Sequence, residues 1–456
     1  MRDRDRRAGY PWQVSNATTT KPPRERTPLG ANFWKLLTSS GLSNLADGVF
    51  KLALPLVAIR YTQEPVLIAG LSLVASLPWL LFALQAGALA DRHDRRRIML
   101  LANIARAVLL AAVAASIALG VESIWVLYAV ALCVGTAETL YDTSAQSILP
   151  QIVGRTQLSR ANGRLYAVEM TANQFVGPPL GGFLVATGAL IAFSVPAGLW
   201  LVAVGMLFLV RGNFQVAREN PARMRSEIME GLRFLWRTRV LRTLAFMTGL
   251  FNLTSSAAFA IFVLYAAGPK SAMGLTDAQV GILFTTTAIG SLLGSFAAEH
   301  IERAIGRALS LSLSIVGGAV LLITPAFTTN PFIIGGAFFI GGFTVVLWNV
   351  VAVSLRQRIT PDRLLGRVNS GYRLLAWGTM PLGAAIGGVL GQFLGLPPVF
   401  IITGIGTLSL LLFMFRLTNA SMDAAEAEAA RTASSDSTAT DSTASDSRAS
   451  GTAEQA

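Results

Sequence analysis

The sequence predicts an all-α membrane protein, with twelve transmembrane helices in two six-helix bundles that form a parallel 6+6 pseudo-repeat. Three observations carry that prediction. Apolar runs of about twenty residues, long enough to cross a bilayer, recur along the chain. Hydrophobic residues make up 53% of it and charged residues 14%, against roughly 25% charged in soluble domains. The second half also echoes the first. Gly41-Leu42-Ser43-Asn44-Leu45 returns as Gly249-Leu250-Phe251-Asn252-Leu253, 208 positions later. Gly87 returns as Gly294, and Arg160-Ala161-Asn162 as Arg367-Val368-Asn369, each 207 positions on. Two bundles related in this way can rock around a central site.

Residues 1–31 are basic, with prolines and threonines, and are expected to form a disordered cytoplasmic tail in touch with anionic lipid. The first bundle is expected over 32–210, with spans near Leu36–Ile59, Val66–Ala90, Ile98–Leu119, Ile124–Ser147, Arg164–Val185 and Leu190–Val210. A polar central loop, 211–242, contains the amphipathic stretch Glu227–Trp236, expected to lie on the inner membrane surface. The second bundle, 243–419, has spans near Thr243–Tyr265, Val280–Ala298, Ala308–Pro325, Phe332–Leu355, Val368–Gly391 and Val399–Leu417. Residues 420–456 turn Ser/Thr/Ala/Asp-rich and are expected to be a second disordered tail.

The net charge of +12 does not imply nucleic acid, because the arginines fall in loops on one side of the predicted spans. That side holds both termini and eight arginines from Arg211 to Arg242, while the other has only Arg60 and Lys270. The arginine side is therefore expected to be cytoplasmic, in an inner or plasma membrane. Cys133 is the single cysteine, so no disulfide framework exists, and the basic start implies no cleaved leader. No phosphate loop occurs, and His93 and His300 stand apart from any triad or metal spacing. The chain is expected to be no enzyme and to need no cofactor or metal.

Between spans 2 and 3 lie Gly87, Asp91, Arg92, Arg95 and Arg96. A glycine, an Asp-Arg pair four residues on and a basic cluster resemble the loop-2/3 gate motif of the major facilitator superfamily, with Asp94 at its usual second glycine. Gly87 is expected to let helices approach, and Asp91 to pair with arginine or cap a helix. At an offset of 207 the second copy keeps only Arg303 opposite Arg96, which makes it the degraded partner. In span 5, Gly177, Pro178, Gly181 and Gly182 resemble the antiporter motif of exporters in that superfamily, with Asn173 in place of its first glycine. Asn44-x-x-Asp47-Gly48, Leu149-Pro150 and Glu230–Leu235 resemble permeases of the enterobactin-exporter and macrolide-efflux type. These resemblances imply export of a small amphiphilic drug, siderophore or secondary metabolite by proton antiport with alternating access; an importer or uniporter of the same fold, or a non-transporting sensor or scaffold, stays open. The expected partners are a small-molecule substrate, protons and membrane lipid, and the sequence carries no signal for oligomeric state.

Ionisable residues inside spans default to function. Asp47 lies about 16 Å into span 1 at 1.5 Å per residue, with Lys51 one turn on, so that the two can neutralise each other. Glu138 and Asp142 share a face of span 4 with Tyr141 beside them, and Arg106 of span 3 lies at their depth. Close carboxylates favour sharing a proton. Asp47, Glu138 and Asp142 are thus the proton-coupling candidates, and Arg106, Lys51 and Tyr141 the substrate or charge-pair candidates. The bland alternative is a structural pair between Arg106 and one span-4 carboxylate. Many proton-coupled relatives carry an arginine in span 4, and this chain has none there.

Overall fold

The computed structural model describes residues 29–154, 157–212, 214 and 222–431, and all regular structure among them is helical. The first bundle is built from α1 (Ala31–Tyr61), α2 (Pro65–Arg92), α3 (Arg95–Ala118), α4 (Ile124–Ile152), α5 (Leu158–Met170), α6 (Gly177–Thr187) and α7 (Ala189–Phe208). Amphipathic α8 (Ala222–Arg237) leads to the second bundle. That bundle holds α9 (Arg239–Ala266), α10 (Asp277–Ile305), α11 (Arg307–Ile323), α12 (Pro331–Ile359), α13 (Asp362–Trp377), α14 (Met380–Leu394) and α15 (Leu396–Leu408).

Eleven helical stretches among the described residues are long and apolar enough to span a membrane. The twelfth place is filled by α5 and α6, which stack end to end through the π-helical turn Thr171–Val176. Pro178 explains the break, since it has no N–H for the carbonyl four residues back. α8 does not lie isolated on a surface. Gly231 sits against the Arg367 backbone of α13, Glu230 pairs with Arg367 at 2.5 Å, and Leu235 is buried.

The register of the repeat needs correction. A Cβ on Gly135 of α4 would strike the Ala75 carbonyl of α2, and one on Gly342 of α12 the Thr287 carbonyl of α10. Gly135 and Gly342 are 207 positions apart, but Ala75 and Thr287 are 212 apart. The starts of α2 and α10, and of α3 and α11, also differ by 212. The cause is a longer connection before α10, residues 267–276, than the 62–64 link before α2. Gly294 is therefore not the structural counterpart of Gly87. Arg307 is the counterpart of Arg95, so the second copy keeps a basic residue that the constant offset hid.

The C-terminal boundary also moves. Residues 419–431 form a helix, α16, where a tail without structure was expected from residue 420. Its alanines and glutamates favour helix, and it is docked on the second bundle. Met422 is buried, Asn419 accepts from the Ala308 N–H at 3.0 Å, and Glu426 pairs with Arg307 at 2.5 Å. Asp423 also pairs with Arg307. At the start, Leu29 is buried and α1 begins at Ala31; the remainder of the expected N-terminal tail, through residue 28, and the tail from 432 lie outside the described residues.

The bundles meet closely at the end carrying the α1–α2 and α9–α10 connections. Gly182 packs on Asp277 and Gly281, Gly281 on Pro178 and Pro179, and Gly388 on Val66 and Ala69. Arg60 bridges to Asp277 at 2.7 Å.

Candidate functional site

α1, α3 and α4 bring the ionisable candidates of the first bundle together. Arg106 reaches Asp47 through Nη1–Oδ1 at 2.8 Å, with both side chains buried. Its Nη2 also donates to the Ala137 carbonyl at 3.4 Å. The guanidinium lies between the rings of Tyr141 and Trp200, 4.8 and 5.4 Å from their centroids. Stacked arginine is well suited to such a dry position, because its charge is delocalised and weakly hydrated.

Lys51 does not neutralise Asp47 as its spacing suggested. It crosses to α4 and holds Glu138 at 3.0 Å. Arg106 likewise pairs with α1 and not with a carboxylate of α4. The reason is geometric: residues four apart on a helix differ in azimuth by about 40°, so Asp47 faces α3 while the long Lys51 stem reaches α4. Asp142, one turn from Glu138, has no ion-pair or hydrogen-bond partner among the described residues, and its side chain is only partly buried. Buried polar atoms surround the pair without protein partners, among them Arg106 Nε, Asn103 Nδ2 and Ser144 Oγ. Such atoms are the kind that recruit water.

The same depth in the second bundle carries different chemistry. α1 and α9 start 208 positions apart, α3 and α11 212, and α4/α12 and α7/α15 207. By that register Asp47 corresponds to Ser255, Arg106 to Gly318, Glu138 to Val345, Tyr141 to Trp348, Asp142 to Asn349 and Trp200 to Thr407. A Cβ on Gly318 would strike the Phe251 ring. A cavity of about 70 Å³ opens beside Phe251, lined by Thr248, Asn252, Trp348 and Asn349.

The gate motif is partly rebuilt. Arg95 is buried and donates to the Ser147 carbonyl at 2.5 Å, near the end of α4. Arg96 does the same for Leu207 at 3.1 Å and Phe208 at 2.5 Å. Arg96 thus satisfies carbonyls that the end of α7 leaves open. Arg92 is exposed at the end of α2. The cap of α3 is made by Asp94, which accepts from the N–H groups of Arg96 and Arg97 at 2.9 and 3.4 Å; the Asp91 side chain, expected to pair with arginine or cap a helix, lies outside the described residues. Gly87 does not mediate close approach in this conformation, for a Cβ there would meet nothing within 4 Å.

The antiporter-like motif faces two ways. Gly177 and Gly181 pack on Gly48 and Val49 of α1, whereas Gly182 packs on α10 of the other bundle. One glycine ridge thus touches both the helix bearing Asp47 and the opposing bundle.

Sequence reasoning missed Trp200, which is fully buried against Arg106, and the Arg60–Asp277 bridge. It also made no claim for Asn349, although the repeat spacing of 207 already set it opposite Asp142.

Residues 26–445 match the family of transmembrane secretion effectors within the major facilitator superfamily. The chain belongs to that family. It is a transporter and a multi-pass membrane protein, not an enzyme. Among curated relatives, the multidrug efflux pump Tap of Mycolicibacterium fortuitum is 26% identical over 83% of this chain and 92% of its own. The enterobactin exporter EntS of Salmonella typhi is 26% identical over 77% and 84%. The transporter's fold matches the nucleoside transporter NupG at a TM-score of 0.66 and 13% identity, over 85% of this chain and 98% of that one. A bacterial homologue of the iron transporter ferroportin, in an inward-facing state, gives 0.66 at 16% identity, over 84% and 98%. These likenesses establish the twelve-helix fold.

Proposed function

We propose that this transporter exports a small amphiphilic molecule in exchange for protons, by alternating access. The arginine-bearing end and both termini face the cytoplasm, as the charge asymmetry of the loops requires. The observation that carries the coupling is the charge count of the first bundle. Asp47, Glu138 and Asp142 stand against Arg106 and Lys51, so these five groups, fully ionised, hold one uncancelled negative charge, while Glu169 of α5 and Arg373 of α13 beside them offset each other. One proton cancels it, and a low-dielectric interior favours the neutral sum.

Asp142 is the acceptor this arrangement favours, because Asp47 and Glu138 are already paired. It also faces the second bundle. Arg373 of α13 donates to Gln146 at 3.3 Å, one turn along α4 from Asp142. An ionised Asp142 attracts Arg373 and draws the bundles together at the arginine end, while a protonated Asp142 releases it. Proton binding thereby biases which end is open. The efflux names of the relatives support the outward direction.

The test uses inverted membrane vesicles with a pH-sensitive dye and a panel of macrolides, siderophores, dyes and cationic drugs. Wild type should release protons when a substrate is added. Asp142→Asn should lose that release yet retain exchange of labelled for unlabelled substrate, which needs no proton. Undiminished proton release in Asp142→Asn would remove it as acceptor and direct the test to Asp47→Asn and Glu138→Gln.

A further inference from the structure

The cavity beside Phe251 in the second bundle stands apart from the charged cluster of the first. It lies one turn along α9 from Ser255, the counterpart of Asp47, and no charged side chain lines it. Across the repeat, valine replaces Glu138 at Val345 on its wall, and glycine replaces Arg106 at Gly318, which admits the Phe251 ring that forms another wall. Phe251 itself stands where the first bundle has Ser43.

What remains is chemically specific. Thr248 is committed to its surroundings: its hydroxyl accepts from Trp348 Nε1 at 3.1 Å and lies 2.6 Å from the Tyr372 hydroxyl. This fixes the Trp348 ring as a wall. Asn252 donates Nδ2 to the Ala376 carbonyl at 2.7 Å, so its Oδ1 is left to accept. Asn349 is exposed at the rim, with neither amide atom engaged among the described residues. The two asparagines thus offer one donor and two acceptors between aromatic and aliphatic walls, and no charged side chain lines the cavity.

We infer that this cavity is a substrate subsite for one uncharged, hydrogen-bonding ring of the transported amphiphile. The inference rests on the export reading above and deepens it. About 70 Å³ is several times the roughly 10–15 Å³ that one water needs, so the cavity seats a ring or a neutral sugar and leaves the rest of the molecule between the bundles. The two bundles then divide the work: the first binds the proton and the second holds the neutral part of the cargo. A ring in contact with Trp348 and hydrogen-bonded to Asn349 would be released when α12 moves relative to α9.

The experiment measures equilibrium binding of radiolabelled chloramphenicol, an uncharged single-ring amphiphile, to the purified full-length chain. Tetraphenylphosphonium, a cation with no hydrogen-bonding group, serves as the contrast. Ser314→Leu fills the cavity from α11 and Asn349→Leu removes the amide at its rim, while Ser314→Ala leaves the space open. Each leucine variant should weaken chloramphenicol binding at least about tenfold, the scale on which a ring is discriminated by an apolar pocket. Ser314→Ala should bind as wild type does, and tetraphenylphosphonium should be indifferent to all three. Asn349→Leu guards against misfolding of Ser314→Leu, since position 349 is exposed. Wild-type affinity in both leucine variants, or no chloramphenicol binding by wild type, overturns the subsite. Vesicle flux separates the two ideas. Binding that is lost on filling but never accompanied by flux keeps the subsite and removes the export reading. Proton-driven flux of chloramphenicol untouched by filling does the reverse.

Discussion

Around Arg106 the first bundle is packed with charge, whereas in the second bundle Gly318 and the Phe251 ring take that place, with an uncharged cavity beside the ring. Both bundles have the same helices in the same order, so backbone architecture does not set the difference. A handful of side chains does. In the first bundle a buried guanidinium needs a carboxylate, and two rings cover it. In the second, loss of the arginine makes the carboxylate unnecessary and even costly, and Ser255 and Asn349 stand in the acidic places. A duplicated fold can thus separate titration from cargo recognition, because each bundle packs its own core.

The largest effect is expected from Arg106→Met. It leaves Asp47 buried without a partner and should lower unfolding stability by about 3–5 kcal/mol, whereas Arg106→Met with Asp47→Leu should recover most of that loss. Thermal unfolding in detergent measures both. A loss under about 1 kcal/mol would mean that water reaches and screens the pair.

Next in size is Gly318→Val, which puts a branched side chain into the Phe251 ring. Overpacking there should cost about 1–3 kcal/mol. Adding Phe251→Ser, which restores the residue type of Ser43, should relieve it, with a coupling of about 0.5–3 kcal/mol in the double-mutant cycle. Additive costs would show that the ring is not what glycine accommodates. Lys51→Met ranks below both. Lys51 is half exposed in its bridge to Glu138, so its stability effect should stay within about 1 kcal/mol. The variant instead leaves Glu138 as a second unpaired carboxylate, and the pH profile of flux should broaden.

The fold was legible because apolar length and repeat spacing are local properties of the chain. Asp47, Lys51, Arg106, Glu138, Tyr141 and Asp142 were all identifiable as a group, since a charge inside a span is conspicuous. Their pairing was not. Asp47 and Lys51 lie one turn apart, yet the helices α3 and α4 that approach α1 at different azimuths claim one each. The register shift of α2 and α3 against α10 and α11 was hidden for a related reason. A connection lengthened before α10 and a helix shortened at α11 compensate further on, so matches at Asn252 and Arg367 looked continuous. The helix at 419–431 depends on Arg307, more than a hundred residues earlier, and its composition alone resembled the tail that follows it.

The smallest effect concerns the contact that joins the bundles at their closed end. Arg60 Nη2 donates to Asp277 at 2.7 Å and to the Val185 carbonyl at 3.0 Å. Arg60 is in the last turn of α1 and Asp277 in the first turn of α10, so each charge also favours its own helix dipole. Both remain partly exposed, and the bridge should contribute only about 0.2–1 kcal/mol. That suffices to shift two nearly balanced conformations by up to about fivefold. Spin labels at Thr62 and Lys270 should therefore show a broader, longer distance distribution in Arg60→Gln. The exchanged pair, Arg60→Asp with Asp277→Arg, should recover only part of the short population, because each charge then opposes its helix dipole. Full recovery would leave the dipoles without a role. An unchanged distribution in Arg60→Gln would mean that the close packing of Gly182 and Gly281 holds this end shut, with the bridge merely following.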